Sequence, residues 1–84
     1  MSIDVIYSSL PARTDSAVAE CAVRSAIGDR AGAWIVCLVQ PPHQTLWVVV
    51  VDGPNGYTRT WAFDEGDQHF AAVRSAVARD LPGM

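Results

Sequence analysis

The stretch AWIVCLVQPPHQTLWVVVVDGPNGYTRTWAF, residues 33–63, decides the fold of this chain. It divides into three runs, Ala33–Val39, Leu46–Val51 and Tyr57–Phe63, rich in Val, Ile, Trp, Tyr, Phe and Thr. β-Branched and aromatic side chains suit a pleated, half-buried surface, and Pro, Gly and Asn punctuate the breaks, so the spacing predicts three strands. The first break, Gln40-Pro41-Pro42-His43-Gln44, is a loop, because proline has no amide to donate to a ladder. The second, Gly53-Pro54-Asn55-Gly56, suits a hairpin. Pro fits the second position of a type I turn, Asn the third, and Gly the left-handed position that follows. That predicts a three-residue loop with a glycine bulge. The register then pairs Gly53 with Tyr57, Val51 with Arg59, Val49 with Trp61 and Trp47 with Phe63. A one-residue slip would set Val48 against Trp61 and turn every second-strand side chain to the opposite face.

The third strand assigns the faces. Tyr57, Arg59, Trp61 and Phe63 share one side, and Thr58, Thr60 and Ala62 share the other. The aromatic side is expected to meet the helices. The first two strands do not alternate: residues 34–39 and 46–51 are apolar on both sides. Such runs mean two covered faces, or one face covered by helices and one left as an association surface. The second arrangement is the expected one.

Outward from the meander, Ser16–Ile27 carries Val18, Ala19, Ala22, Val23, Ala26 and Ile27 at i, i+3, i+4 spacing, one stripe of a helix. Thr14 or Asp15 can cap its start, Glu20 and Arg24 form a weak i, i+4 pair, and Gly28 stops it. A second helix follows Asp64-Glu65-Gly66-Asp67. Asp64 or Asp67 serves as its cap, His69 falls in its first turn, and Phe70, Val73, Val77 and Leu81 form its stripe. Leu81-Pro82-Gly83 ends it. Near the start, Ile3, Val5 and Tyr7 alternate with Ser2, Asp4 and Ser8, with Ile6 the exception, as in a short strand. Leu10-Pro11-Ala12-Arg13 reads as a turn. If the first strand joins the sheet, the helical crossover makes it parallel to the first strand of the meander. The expected fold is α+β: a three- to four-stranded, mainly antiparallel sheet packed against two helices, in the order (β)-α-β-β-β-α and in one domain spanning residues 1–84.

Without its first strand the order α-β-β-β-α is similar to that of double-stranded-RNA-binding domains. Those carry a basic cluster at the start of the second helix, where this chain has Asp64, Glu65 and Asp67. The net charge is −3, there is no lysine, and Arg13, Arg24, Arg30, Arg59, Arg74 and Arg79 are scattered. The charge therefore argues against a phosphate-tracking surface.

Composition excludes other classes. Half the residues are apolar and 18% are charged, unlike a disordered chain. No apolar run approaches the roughly 20 residues that span a bilayer, and Met1-Ser2-Ile3-Asp4 does not open a signal peptide. Two isolated cysteines, Cys21 and Cys37, are not a disulfide framework and point to a reducing cytoplasm. Both read as small buried hydrophobes, without the cationic neighbour or helix start that activates a thiol for a base such as His43 or His69. Asp64, Glu65, Asp67 and His69 are the one dense group of potential ligands, but their spacing matches no metal loop and capping accounts for the acids. No catalytic, cofactor or metal residue is assigned.

Tyr57, Arg59 and Trp61 are the sharpest surface candidates, since Tyr, Trp and Arg carry interface energy and an Arg between aromatics can stack. Trp47 and Trp34 join them as possible contact residues. For all three tryptophans and Tyr57 the core is the competing role. The function expected is a small cytoplasmic, non-enzymatic interaction module. It forms a homodimer or binds a protein partner through an apolar sheet face or edge, a class that includes acidic antitoxins and inhibitors of basic proteins. The alternatives are a nucleic-acid-binding domain and a small-molecule or metal-binding protein using Asp64–His69.

Overall fold

A computed structural model describes residues 2–8 and 13–81. Of the turn expected at residues 10–13, Arg13 instead begins a helix and residues 10–12 lie outside the described ones, as do the stop at 82–83 and the side chains of Val5 and Tyr7. The element order is β1 (Ser2–Ser8), α1 (Arg13–Ile27), β2 (Ala33–Val39), β3 (Trp47–Asp52), β4 (Thr58–Phe63) and α2 (Phe70–Asp80). The four strands lie in one sheet in sequential order. β1 runs parallel to β2, and the other two pairs are antiparallel.

The hairpin register is the one the turn chemistry requires. Val51 faces Arg59, Val49 faces Trp61, and Trp47 faces Phe63, while the Gly53 amide donates to Tyr57 O at 2.8 Å. The one-residue slip is excluded. The turn differs from a type I turn: Asn55 (φ 61°, ψ 29°) is left-handed as well as Gly56 (φ 78°), and the Tyr57 amide closes onto Pro54 O at 3.2 Å. An Asn-Gly pair tolerates consecutive positive φ values and matches the right-handed twist of the flanking strands.

Directly opposed residues share a face, and Val36–Val51, Leu38–Val49, Val49–Trp61 and Trp47–Phe63 are all opposed and buried. They join Ala19, Ala22, Val23, Ala26 and Ile27 of α1 and Val73 and Val77 of α2 in one core. Both helices therefore cover the same face. The alanine stripe of α1 lets α2 lie close, and Arg74 Nε donates to Ser25 Oγ at 2.9 Å across the pair. Gly28 (φ 58°) closes α1 with its amide on Arg24 O at 2.9 Å. The Arg30 guanidinium donates to Ala26 O and Ile27 O at 3.1 and 3.3 Å, satisfying carbonyls that a helix end leaves bare.

Three local expectations are corrected. α1 begins at Arg13, so Thr14 and Asp15 lie inside its first turn and do not cap it. α2 is capped by His69, whose Nδ1 accepts from the Ala72 amide at 3.3 Å. Asp64 instead caps a separate short turn at Glu65–Asp67. The cause is Gln68, whose Nε2 donates to Thr45 O and Phe63 O and holds the segment before His69 out of helical geometry. Phe70, expected in the buried stripe, is 43% exposed because it begins the helix beyond the sheet's cover.

Candidate interaction surface

The sheet face away from the helices has three cross-strand rows. Val39, Val48 and Ala62 form one, Cys37, Val50 and Thr60 the second, and Ile35, Asp52 and Thr58 the third, with Asp4 beside Ile35. Ile35, Cys37, Val39, Val48 and Val50 are half-buried, while Asp4, Asp52, Thr58, Thr60 and Ala62 are exposed. Lateral neighbours within the sheet supply that partial burial, since both helices lie on the other side. The described face is thus apolar at its centre, acidic at one end and free of cations. β-Branched runs in β2 and β3 put apolar side chains on both faces, and two helices of 15 and 11 residues cover only one.

The aromatic residues singled out from the sequence are elsewhere. Trp34, Trp47 and Trp61 are 2%, 3% and 8% exposed, beneath the helices. Tyr57 is half-buried and meets the Trp34 ring edge-on at 5.9 Å and 64°. Arg59 is exposed, at the edge of the same helix-covered face. The structure does bring Tyr57, Arg59 and Trp61 together, around a residue that sequence reasoning missed. Tyr57 Oη donates to Asp80 O at 3.0 Å, and Trp61 Nε1 donates to Asp80 Oδ2 at 2.9 Å. Arg59 lies 3.7 Å from the same carboxylate oxygen. An acid in the last turn of a helix opposes the dipole, and that mismatch is the one signal that could have marked Asp80. Its three partners explain why it is tolerated. Burial pushes the Tyr57 hydroxyl pKa up, with Asp80 adding to the rise and Arg59 and Arg30 opposing it. Among the described residues, Trp34 Nε1 and Arg30 Nε are buried without a hydrogen-bond acceptor.

The acidic segment does not converge. Asp64 Oδ1 accepts from the Gly66 amide at 3.1 Å, His69 is the cap of α2, and among the described residues no three His, Cys, Asp or Glu side chains are placed to hold a metal. Cys37 lies half-buried on the open face, but Cys21 is exposed. The expectation of a buried Cys21 is corrected: it sits next to Ala22 in sequence but about 100° around the helix from it, on the outer side. His43 is exposed in the β2–β3 loop. No helix among the described residues is long and apolar enough to cross a membrane. Comparison with protein-family models, with curated proteins and with solved structures finds no match to this chain.

Proposed function

We propose that this chain is a non-enzymatic interaction module that self-associates by stacking its open sheet faces. The observation that carries this reading is the uncovered apolar centre formed by Cys37, Val39, Val48, Val50 and Ala62 on a sheet whose helices occupy the other side. Burying apolar area drives association, and aligned sheet-on-sheet packing is a stable way to do it. A second copy suits the face better than a basic partner would, because the acids Asp4 and Asp52 occupy only one end. A two-fold axis between stacked sheets can place the two acidic ends apart.

The test is molar mass by light scattering across a concentration series, on the wild type and on Val50→Glu. Val50 sits mid-strand between Cys37 and Thr60, so a carboxylate there is buried unpaired in any stacked dimer. Loss of a mass step in Val50→Glu is the expected result. A wild type that stays at 9.0 kDa to millimolar concentration ends the proposal. The nucleic-acid reading gains nothing, because β1 joins the sheet and the order is β-α-β-β-β-α, and an element order carries no function by itself.

A further inference from the structure

We infer that the outer edge of β4 is a second self-association surface, one that takes β4 of another copy in antiparallel pairing about Thr60. In antiparallel sheets, opposed residues alternate between pairs that exchange hydrogen bonds and pairs that do not. The bond from the Gly53 amide to Tyr57 O sets the phase. Arg59, Trp61 and Phe63 then bond to β3, and the amides and carbonyls of Thr58, Thr60 and Ala62 point away from it. β3 is the only strand beside β4 among the described residues. Thr58, Arg59, Thr60 and Ala62 are all exposed, so no element among the described residues covers this edge.

Free edges are normally blunted by bulges, prolines or lysines. β1, at the opposite edge, has an irregularity between Val5 and Tyr7. β4 has no bulge, proline or lysine: its sequence is TRTWAF, its ladder to β3 is unbroken, and its one charge, Arg59, lies on the helix-covered face beside Asp80. A second copy is the occupant that this edge fits, for two reasons. Antiparallel pairing centred on Thr60 sets Thr58 against the partner's Ala62 and Thr60 against the partner's Thr60, which uses every outward donor and acceptor. The same register sets Arg59 against the partner's Trp61, whose indole is already held by a carboxylate. Each Arg59 then faces, across the axis, the partner's Asp80 carboxylate, whose side chain is 30% exposed, while the Trp61 ring stays buried. Among the described residues of the single chain Arg59 makes a loose pair, 3.7 Å long with its side chain 53% exposed.

Area argues the same way. Four strands at about 4.8 Å spacing and about 20 Å length present a footprint of roughly 400 Å². That is small against the roughly 800 Å² per partner of a standard interface. Edge pairing joins two open faces into one and doubles the footprint. The two-fold axis of edge pairing is perpendicular to the sheet, whereas that of face stacking lies between the sheets. Together they close a tetramer with dihedral symmetry, a common arrangement. Edge pairing uses the β4 backbone alone and does not need the stacked face.

The experiment measures molar mass for the wild type, Val50→Glu, Thr60→Pro and the double variant. Thr60 is the position where proline removes an outward amide while leaving every β3–β4 bond in place. With a protomer of 9.0 kDa, the wild type is expected at four times that mass. Each single variant is expected at twice it and the double variant at one. Mass lost in Thr60→Pro alone supports the edge and removes the face. Mass lost in Val50→Glu alone, with Thr60→Pro unchanged, overturns the edge. Two further readings guard against a misfolded proline variant. Arg59→Glu, which sets acids across the axis and leaves the backbone intact, is expected to halve the mass of Val50→Glu. The Thr58, Thr60 and Ala62 amides are expected to be protected from hydrogen exchange in Val50→Glu. Free exchange there, with a monomer mass, overturns the proposal.

Discussion

Trp61 Nε1 and Asp80 Oδ2 meet at 2.9 Å, so the end of α2 is fastened to the middle of β4 by a charge-assisted hydrogen bond. The two residues are 19 positions apart. Tyr57 adds a second tie to the Asp80 carbonyl at 3.0 Å. Trp61 is 8% exposed, so a lost acceptor is not readily replaced by water.

Asp80→Ala is therefore expected to destabilise the fold by about 1–3 kcal/mol, the cost of leaving a buried donor without a partner. Asp80→Asn keeps an acceptor and relieves the clash with the helix dipole, so its cost is expected to be the smaller of the two. Urea denaturation measures both. A double-mutant cycle with Trp61→Phe should return a coupling of at least about 0.5 kcal/mol; independent effects would show that the bond contributes nothing.

The raised Tyr57 pKa, caused first by burial, has a definite linkage sign. Above the ordinary value of about 10, the unfolded tyrosine releases its proton while the folded one still holds it. The contribution to stability is full below pH 10 and is lost as pH climbs through the folded-state value. Thermal melts from pH 9 to pH 11.5 should fall less steeply for Tyr57→Phe than for the wild type. Equal slopes would place the alkaline sensitivity elsewhere.

Gly53 is required by space. A Cβ there would lie 2.5 Å from Trp34 Cζ3 and 2.8 Å from Cε3. The indole is wedged in the core, so Gly53→Ala must shift the hairpin or the ring, at a cost of about 1–3 kcal/mol. The near-ultraviolet circular dichroism of the tryptophans should change with it.

His43 holds φ at 62°, a left-handed conformation that strains most side chains by roughly 1–2 kcal/mol. Asn adopts it more readily without the added unfolded-state entropy of Gly. His43→Asn is expected to raise stability by about 0.5 kcal/mol, read as a higher urea midpoint. A lower midpoint would mean that the imidazole makes a contact of its own.

The cysteines offer a footprint of the open face. Cys21 is exposed on α1 and Cys37 is half-buried on the sheet. Maleimide should modify Cys21 quickly in every variant. Cys37 should react slowly in the wild type and at least several-fold faster in Val50→Glu. Equal Cys37 rates in both proteins would leave the face uncovered in solution.

Much of the fold is legible in local chemistry. The Pro-Asn-Gly loop and the Tyr57–Phe63 alternation determine the register and the helix-facing side of β4, because a hairpin's turn and a strand's period of two are short-range constraints. Gly28 ends α1 for the same kind of reason. The start of α2 is less legible. Three acids near a helix start read as caps, yet Gln68, reaching back to Thr45 and Phe63, moves the cap to His69.

What the sequence determined by itself is a three-stranded meander with two amphipathic helices and more apolar sheet than those helices can hide. Patterning within ten or so residues carries that information. Only the tertiary structure decided that β1 joins the sheet, that the expected one-sided placement of both helices holds, and that Tyr57, Arg59 and Trp61 gather around Asp80. Those outcomes depend on residues far apart in the chain meeting in space: 19 and 23 positions at Asp80, 31 between Ser2 and Ala33 and 49 between Ser25 and Arg74. Periodicity can say that an aromatic side chain is wanted in a core or an interface, but only packing decides which.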